Sequence, residues 1–208
     1  GEPQCLVRGL AEAAPTFSDL EIIRLMSRET TPLTLIANKT QDQSLNIRSI
    51  YLGAAKSPEL AKHMRFYTPV NLSLAPHLFA RRRIPIDVAL IQVSPPDDFG
   101  WMSLGVSVDV TQAAALSADL VIAQVNSRMP TVLGQSFVHV NDVDSIVEYD
   151  EDLLTISPLP SSRQAKLIGR HIARLIDDGS TLQIGLDAAS QATSLALAEK
   201  NDLGIHSQ

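Results

Sequence analysis

The stretch AAALSADLVIAQV (113–125) decides how this chain folds. Its first half is small and helix-forming. From Asp119 it turns into a short run rich in Val, Ile and Leu, too brief for a helix of its own and typical of a buried strand. IDVALIQV (86–93) has the same character, so the two read as strands joined through a helix. MRFYTPV (64–70) and PLTLIA (32–37) are read as further strands, with helix-like PHLFARRR (76–83) after the first of them. Ahead of them SDLEIIRLMSRE (18–29) predicts a helix, with Ser18 as N-cap, Glu21 three residues on, and apolar residues at Leu20, Ile23, Leu25 and Met26.

The alternation continues to the end of the chain. SSRQAKLIGRHIARLIDDGS (161–180) predicts the clearest helix: Ser161 or Ser162 caps it, Leu167, Ile168, Ile172, Leu175 and Ile176 form an apolar stripe, and Gly179 stands as the C′ residue. TLQIG (181–185) reads as a strand and AASQATSLALAEK (188–200) as the next helix. The expected fold is α/β, a mainly parallel sheet flanked by helices. The stretch VSPPDDFGWMSLGVSVDVT (93–111) departs from this rhythm with two prolines, two adjacent acids and two glycines. It reads as a hairpin turn, or as a loop at the mouth of a site.

Composition narrows the function. The 208 residues are 45% hydrophobic with net charge −6, enough for one sizeable core. The basic run Arg81–Arg83 has no aromatic residues interleaved and reads as a solvated helix end, so nucleic-acid binding is not expected. No apolar run approaches 18 residues, so no membrane association is expected and a soluble, cytoplasmic protein is. A single cysteine, Cys5, precludes an internal disulfide and a cysteine-rich metal site. His63, His77, His139 and His171 lack metal-ligand spacing, and Asp142 and Asp144 read as a surface loop; no metal is expected. The chain opens on Gly1, not Met, and the natural N-terminus is expected to extend further.

Gly185, between a strand and a helix, is where helix N-terminal amides could face a ligand, although GLDAAS is neither a GxGxxG nor a P-loop and serves equally as a plain strand–helix turn. At this point three segments taken together, 93–109, 115–148 and 182–208, resemble the acetyl-CoA hydrolase/acetate CoA-transferase family, which includes the 4-hydroxybutyrate CoA-transferases. GEPQCLVRGL (1–10) is similar to a stretch near the start of those proteins. The resemblance runs the length of the chain and implies the N-terminal half, residues 1–208, of a two-domain CoA-transferase. It further implies acyl-CoA and a small carboxylate as substrates, coenzyme A as the group carried, and a C-terminal half or partner subunit. An exposed apolar face would add homo-oligomerisation.

The resemblance also assigns a site. Family members carry a Gly-x-Gly loop, a helix, and then LGIHTE, whose glutamate attacks the acyl-CoA to form a mixed anhydride and then a glutamyl-CoA thioester. Laid on this chain, the CoA-binding loop is Gly185, Leu186, Asp187, Ala188 and Ala189, and the nucleophile falls on Gln208. Five positions depart from the family: Gln208 for the glutamate, Asp187 for the second glycine, Ser190 for a proline, and Gln124 and Thr131 where an acid and an arginine are usual. An amide cannot perform the glutamate's attack. The competing expectation is therefore a diverged acyl-thioester-binding protein or subunit without transferase chemistry. Cys5 is a substitute nucleophile or a small buried hydrophobe, and His206 a proton carrier or a structural residue.

Overall fold

The computed structural model describes residues 2–25, 36, 45–50, 63–155, 161–185 and 187–207. These fall into two compact units, Gly1–Leu154 and Thr155–Gln208. The first unit begins with helix α1 (Gln4–Ala13) and strand β1 (Leu20–Arg24), then β2 (Leu45–Ser49) and β3 (Met64–Tyr67). Short helix α2 (Ala75–Ala80) leads to β4 (Val88–Val93) and β5 (Trp101–Ser103). Helix α3 (Thr111–Ser117), β6 (Leu120–Val125), β7 (Phe137–His139) and β8 (Ser145–Glu148) complete it.

β1–β2–β3 and β4–β6–β8 are parallel sheets, and β5–β7 is an antiparallel pair. The α/β expectation therefore holds, and so does the strand–helix–strand reading around 113–125. β4 and β6 pair in register from Val88↔Leu120 to Val93↔Val125, and both bury their last three residues. Ile91, Val93, Ala123 and Val125 form the centre of a core closed by Met102, Leu104, Ala115 and Val138. A second core packs Val7, Ala11 and Ala14 of the N-terminal segment against Leu45 and Ile47.

The helix expected at 18–29 is not formed where it is described: residues 20–24 are β1. The apparent capping-box glutamate has another partner, since Glu21 accepts from Arg48 Nε of β2 at 2.6 Å. β-branched Ile22 and Ile23 pair across to Ile47 and Arg48, so tertiary pairing wins over a local capping signal. Of residues 32–37 only Ile36 is described, and it is helical and buried, not extended. A six-residue apolar run does not distinguish a buried strand from a buried helix by periodicity.

The 93–111 stretch is a hairpin-like turn. Asp97 N–H donates to Trp101 O, and Asp97 Oδ1 accepts from the amides of Phe99 and Trp101 at 2.9 and 2.8 Å. Gly100 and Gly105 both take positive φ, +84° and +55°, a region closed to most side chains. At Gly105 a Cβ would meet Met129 Sδ at 2.3 Å and Pro130 O at 2.7 Å. Arg81–Arg83 lie exposed just past α2, with Arg82 paired to Asp119. Asp144 is tied down more than a surface loop implies: its Oδ2 accepts from Val121 N–H at 2.8 Å.

The second unit contains helix α4 (Arg163–Ala173), β9 (Thr181–Leu182), helix α5 (Ala188–Ala196) and β10 (Gly204–Ile205). Ser162 caps α4, its Oγ accepting from Ala165 N–H at 3.0 Å. α4 ends earlier than expected, so Gly179, at φ +77°, is not its C′ residue. The chain is drawn away because Asp178 accepts from Asn201 N–H and Gly179 N–H donates to Asn201 O. The buried face of α4 is also not the expected stripe. Ala165, Gly169 and Ala173 are buried, while Leu167, Ile168, Ile172 and Leu175 are exposed. α4 crosses α5 at Gly169, where a Cβ would lie 2.7 Å from Ala192 C and O and 2.8 Å from Thr193 N. Among the described residues no helix is long and apolar enough to cross a membrane.

Candidate functional site

Open α/β sheets place ligands beyond the carboxyl ends of their strands. At the carboxyl ends of β4 and β6, that space is taken by the protein's own N-terminal segment. Pro3 precedes α1 and has no side chain able to cap it, so the first amides of the helix need other acceptors. Cys5 N–H finds two, Gln124 Oε1 at 3.1 Å and Glu151 Oε1 at 2.9 Å. The Glu151 carboxylate also receives Gln124 Nε2 at 2.7 Å and Arg8 at 2.7 Å. Arg8 lies in turn over the Tyr149 ring, and its pairing with Glu151 raises its pKa above the usual value.

Deeper in, the amides of Gln92 and Asn126 continue the network. Gln92 Nε2 donates to Glu2 O, and Asn126 Nδ2 donates to both Gln92 Oε1 and Glu151 O, all at 2.7 Å. Gln92, Gln124 and Asn126 are fully buried, so these bonds are the condition of their burial. Gln124, read from the sequence as a lost acid, is matched to its surroundings: a carboxylate there would face Glu151. Thr131 is exposed, and Cys5 is half-buried with a free thiol. Burial lowers the Arg24 pKa, and the charge of Glu2 opposes that shift.

In the second unit the loop between β9 and α5 is organised by Asp187. Its Oδ1 accepts from the amides of Ala189 and Ser190 at 2.8 and 3.1 Å, and its Oδ2 from the Ser190 hydroxyl at 2.7 Å. The Ser190 hydroxyl, and then the two amides, hold the Asp187 pKa below the usual carboxylate value. Gly185 faces this cap, since a Cβ on it would stand 3.1 Å from Ser190 Oγ and 3.2 Å from Asp187 Oδ2.

The final segment returns to the same place. His206 N–H donates to Leu182 O at 2.9 Å, and the Ser207 hydroxyl donates to Ile184 O while receiving Ile184 N–H. Gly185, Asp187, Ala188 and Ala189 thus lie at one end of the β9–β10 pair, with Ser207 bonded one residue before the loop. Leu186 and Gln208 fall outside the described residues. His206 is exposed. Among the described residues no three His, Cys, Asp or Glu side chains gather as a metal site.

Sequence reasoning did not find Glu151 or Arg8, and it read no helix at 4–13. The acid run YDED (149–152) was the available signal, but nothing in it says which acid turns inward.

Comparison with known proteins accounts for the whole chain. Residues 2–158 match the acetyl-CoA hydrolase/transferase N-terminal domain. The 4-hydroxybutyrate coenzyme A transferase of Clostridium kluyveri is 40% identical over 208 residues, covering 100% of this chain and 48% of the relative. Among solved structures, the 4-hydroxybutyrate CoA-transferase from Porphyromonas gingivalis superposes with TM-score 0.70 at 32% identity, covering 97% of this chain and 52% of that one. RipA from Yersinia pestis gives TM-score 0.83 at 29% identity, over 100% and 50%. The chain therefore spans about half the length of these relatives. With matching motifs, a parallel α/β fold and a family match over most of its length, the chain belongs to the acetyl-CoA hydrolase/transferase family.

Proposed function

We propose that the protein to which this chain belongs moves coenzyme A between short-chain carboxylic acids. The observation that carries this reading is the end-to-end similarity to a CoA-transferase at 40% identity. In the reaction, a carboxylate oxygen attacks the thioester carbonyl, the C–S bond breaks, and CoA leaves as thiolate. The thiolate then attacks the enzyme's carbonyl, the free acid departs, and a second carboxylate reverses the sequence. The resemblance assigns Gly185, Leu186, Asp187, Ala188 and Ala189 to the coenzyme A loop and aligns Gln208 with the attacking glutamate. The relatives' greater length supports a C-terminal half or partner subunit that completes the site, and the exposed apolar residues of α4 support a further protein contact.

Gln208 favours a second reading. An amide oxygen neither carries the negative charge nor forms the mixed anhydride that the first step requires. With Gln208 the protein binds an acyl thioester and does not turn it over by this route. Intact mass of the full-length protein after incubation with acetyl-CoA and then butyryl-CoA separates the two. A covalent CoA adduct on the native protein sinks the binder reading. No adduct on native protein, with one on Gln208→Glu, means the site is intact and silenced at a single residue. If neither form is labelled, the transferase proposal fails.

A further inference from the structure

α4 is held on one side only. Its buried residues are Ala165, Gly169 and Ala173, with Gly169 against the backbone of α5, and every other residue from Arg163 to Leu175 is exposed. At 3.6 residues per turn the open side divides lengthwise. Arg163, Arg170 and Arg174 line one edge, with Lys166 behind them. Leu167, Ile168, Ile172 and Leu175 carry the remainder, Leu175 being 83% exposed. Single apolar residues on a surface are ordinary, but four along one helix mark a contact.

The cations say what kind of contact. None of the four has an ion-pair partner among the described residues, and no acid lies between Ser161 and Ile176. Lys166, Arg170 and Arg174 stand four apart, a like-charge spacing that weakens a helix by itself. The helix dipole favours Arg170 and Arg174 near the C-terminus but opposes Arg163 and Lys166 in the first turn. Asp178, beyond the helix, is already taken by the amide and side chain of Asn201. In a chain of net charge −6, this edge is a concentration of positive charge with no internal counterpart. A second copy is the poorer fit, because two α4 helices set antiparallel about a two-fold axis bring cationic edge against cationic edge.

We propose that the open side of α4 is a docking surface for an acidic amphipathic helix of a partner protein, its apolar residues seated on Leu167, Ile168 and Leu175 and its carboxylates along Arg163, Arg170 and Arg174. This is helix-on-helix recognition, with the apolar stripe supplying affinity and the charged edge fixing partner and orientation. It does not depend on the chemistry at position 208.

The test uses two fluorescent synthetic helices of about 18 residues, five turns, with leucines at helical spacing. One carries glutamates along the flank and the other lysines, and each is added to the full-length protein in low-salt buffer while anisotropy is read. The glutamate peptide binds saturably and the lysine peptide does not. In the double variant Arg170→Glu, Arg174→Glu, affinity for the glutamate peptide falls about tenfold and the lysine peptide now binds. Both positions are exposed, so circular dichroism should show the fold retained. Binding of both peptides alike, of neither, or an unchanged preference in the double variant overturns the proposal. Maleimide labelling of Leu175→Cys in the full-length protein, located by peptide mass, covers the other occupants, and the thiol should react at every dilution. Protection at every dilution means that the rest of the same polypeptide covers the face; protection lost on dilution means that a second copy does. Either overturns the proposal, as does charge-dependent binding to phosphatidylserine vesicles without binding of the glutamate peptide.

Discussion

The two helices that start beside a strand end, α1 and α5, both have their first amides satisfied by a carboxylate of the same chain, in opposite ways. α5 is capped by Asp187, the residue immediately before it, on an exposed loop. α1 is closed by Glu151, 146 residues beyond Cys5 in sequence, within a network of buried amides. The local cap fixes where a helix begins. The distant one fixes where a helix sits, because Glu151 satisfies α1 only when β6, β8 and the N-terminal segment are all in place. The difference teaches that the same chemistry is a boundary signal at one helix and a tertiary lock at the other.

The sharpest way to break that contrast is to remove the amide at the centre of the lock. Asn126→Leu leaves Gln92 Oε1, the Glu151 carbonyl and the Arg128 amide without their partner. The expected loss is about 3 kcal/mol. For a chain of this size that is a fall of roughly 8 °C in Tm by calorimetry. If Asp187→Ala costs as much, the two ends are not different in kind.

Gln124→Glu tests the lock by charge instead of removal, setting a carboxyl against Glu151 where an amide now donates. At low pH one carboxyl stays protonated and bridges to the other. The folded pKa of the pair is thus raised, and its contribution is lost as pH rises through that value. The expected penalty is about 2 kcal/mol at pH 8, and smaller at pH 5. Urea midpoints of variant and native at the two pH values read it. A penalty independent of pH refutes the facing-carboxyl geometry.

The smallest effect belongs to the exposed end. Asp187 has a lowered folded pKa, so its contribution is present above the unfolded value, about 3.9, and is lost as pH falls through the folded one. Asp187→Asn has no such titration. Native protein should therefore lose slightly more stability than the variant between pH 6 and pH 3 in urea titrations. Equal losses mean the cap contributes nothing as a charge.

Which parts of this were legible in sequence follows the same division. β4, β6 and α5 announced themselves through apolar runs and periodicity, and the turn at 93–111 through its prolines and glycines. Ser162 was readable as a cap because it acts on amides within its own turn. β1 was misread because Ser18 and Glu21 satisfy a local rule, while the strand's partners lie more than twenty residues away in β2. The inward face of α4 was misread for a related reason: α5 comes so close that only small residues fit between, and the large apolar ones are left outside. The strand–loop–helix order around Gly185 was legible, but the capping that Asp187 performs needs Ser190 in three dimensions. Glu151 was invisible, since nothing near it in the chain says that it closes α1.

The crossing at Gly169 carries a consequence for how the sequence can drift over generations. Where an oversized side chain strikes another side chain, a second mutation can shrink the neighbour and the pair survives together. At Gly169 the atoms in the way are the backbone of Ala192 and Thr193, which no codon alters. No partner mutation offers an escape, so the route to any other residue there passes through an unfolded or displaced α5. Position 169 is one at which descent in this lineage should leave the letter unchanged, whatever becomes of the chemistry at the end of the chain.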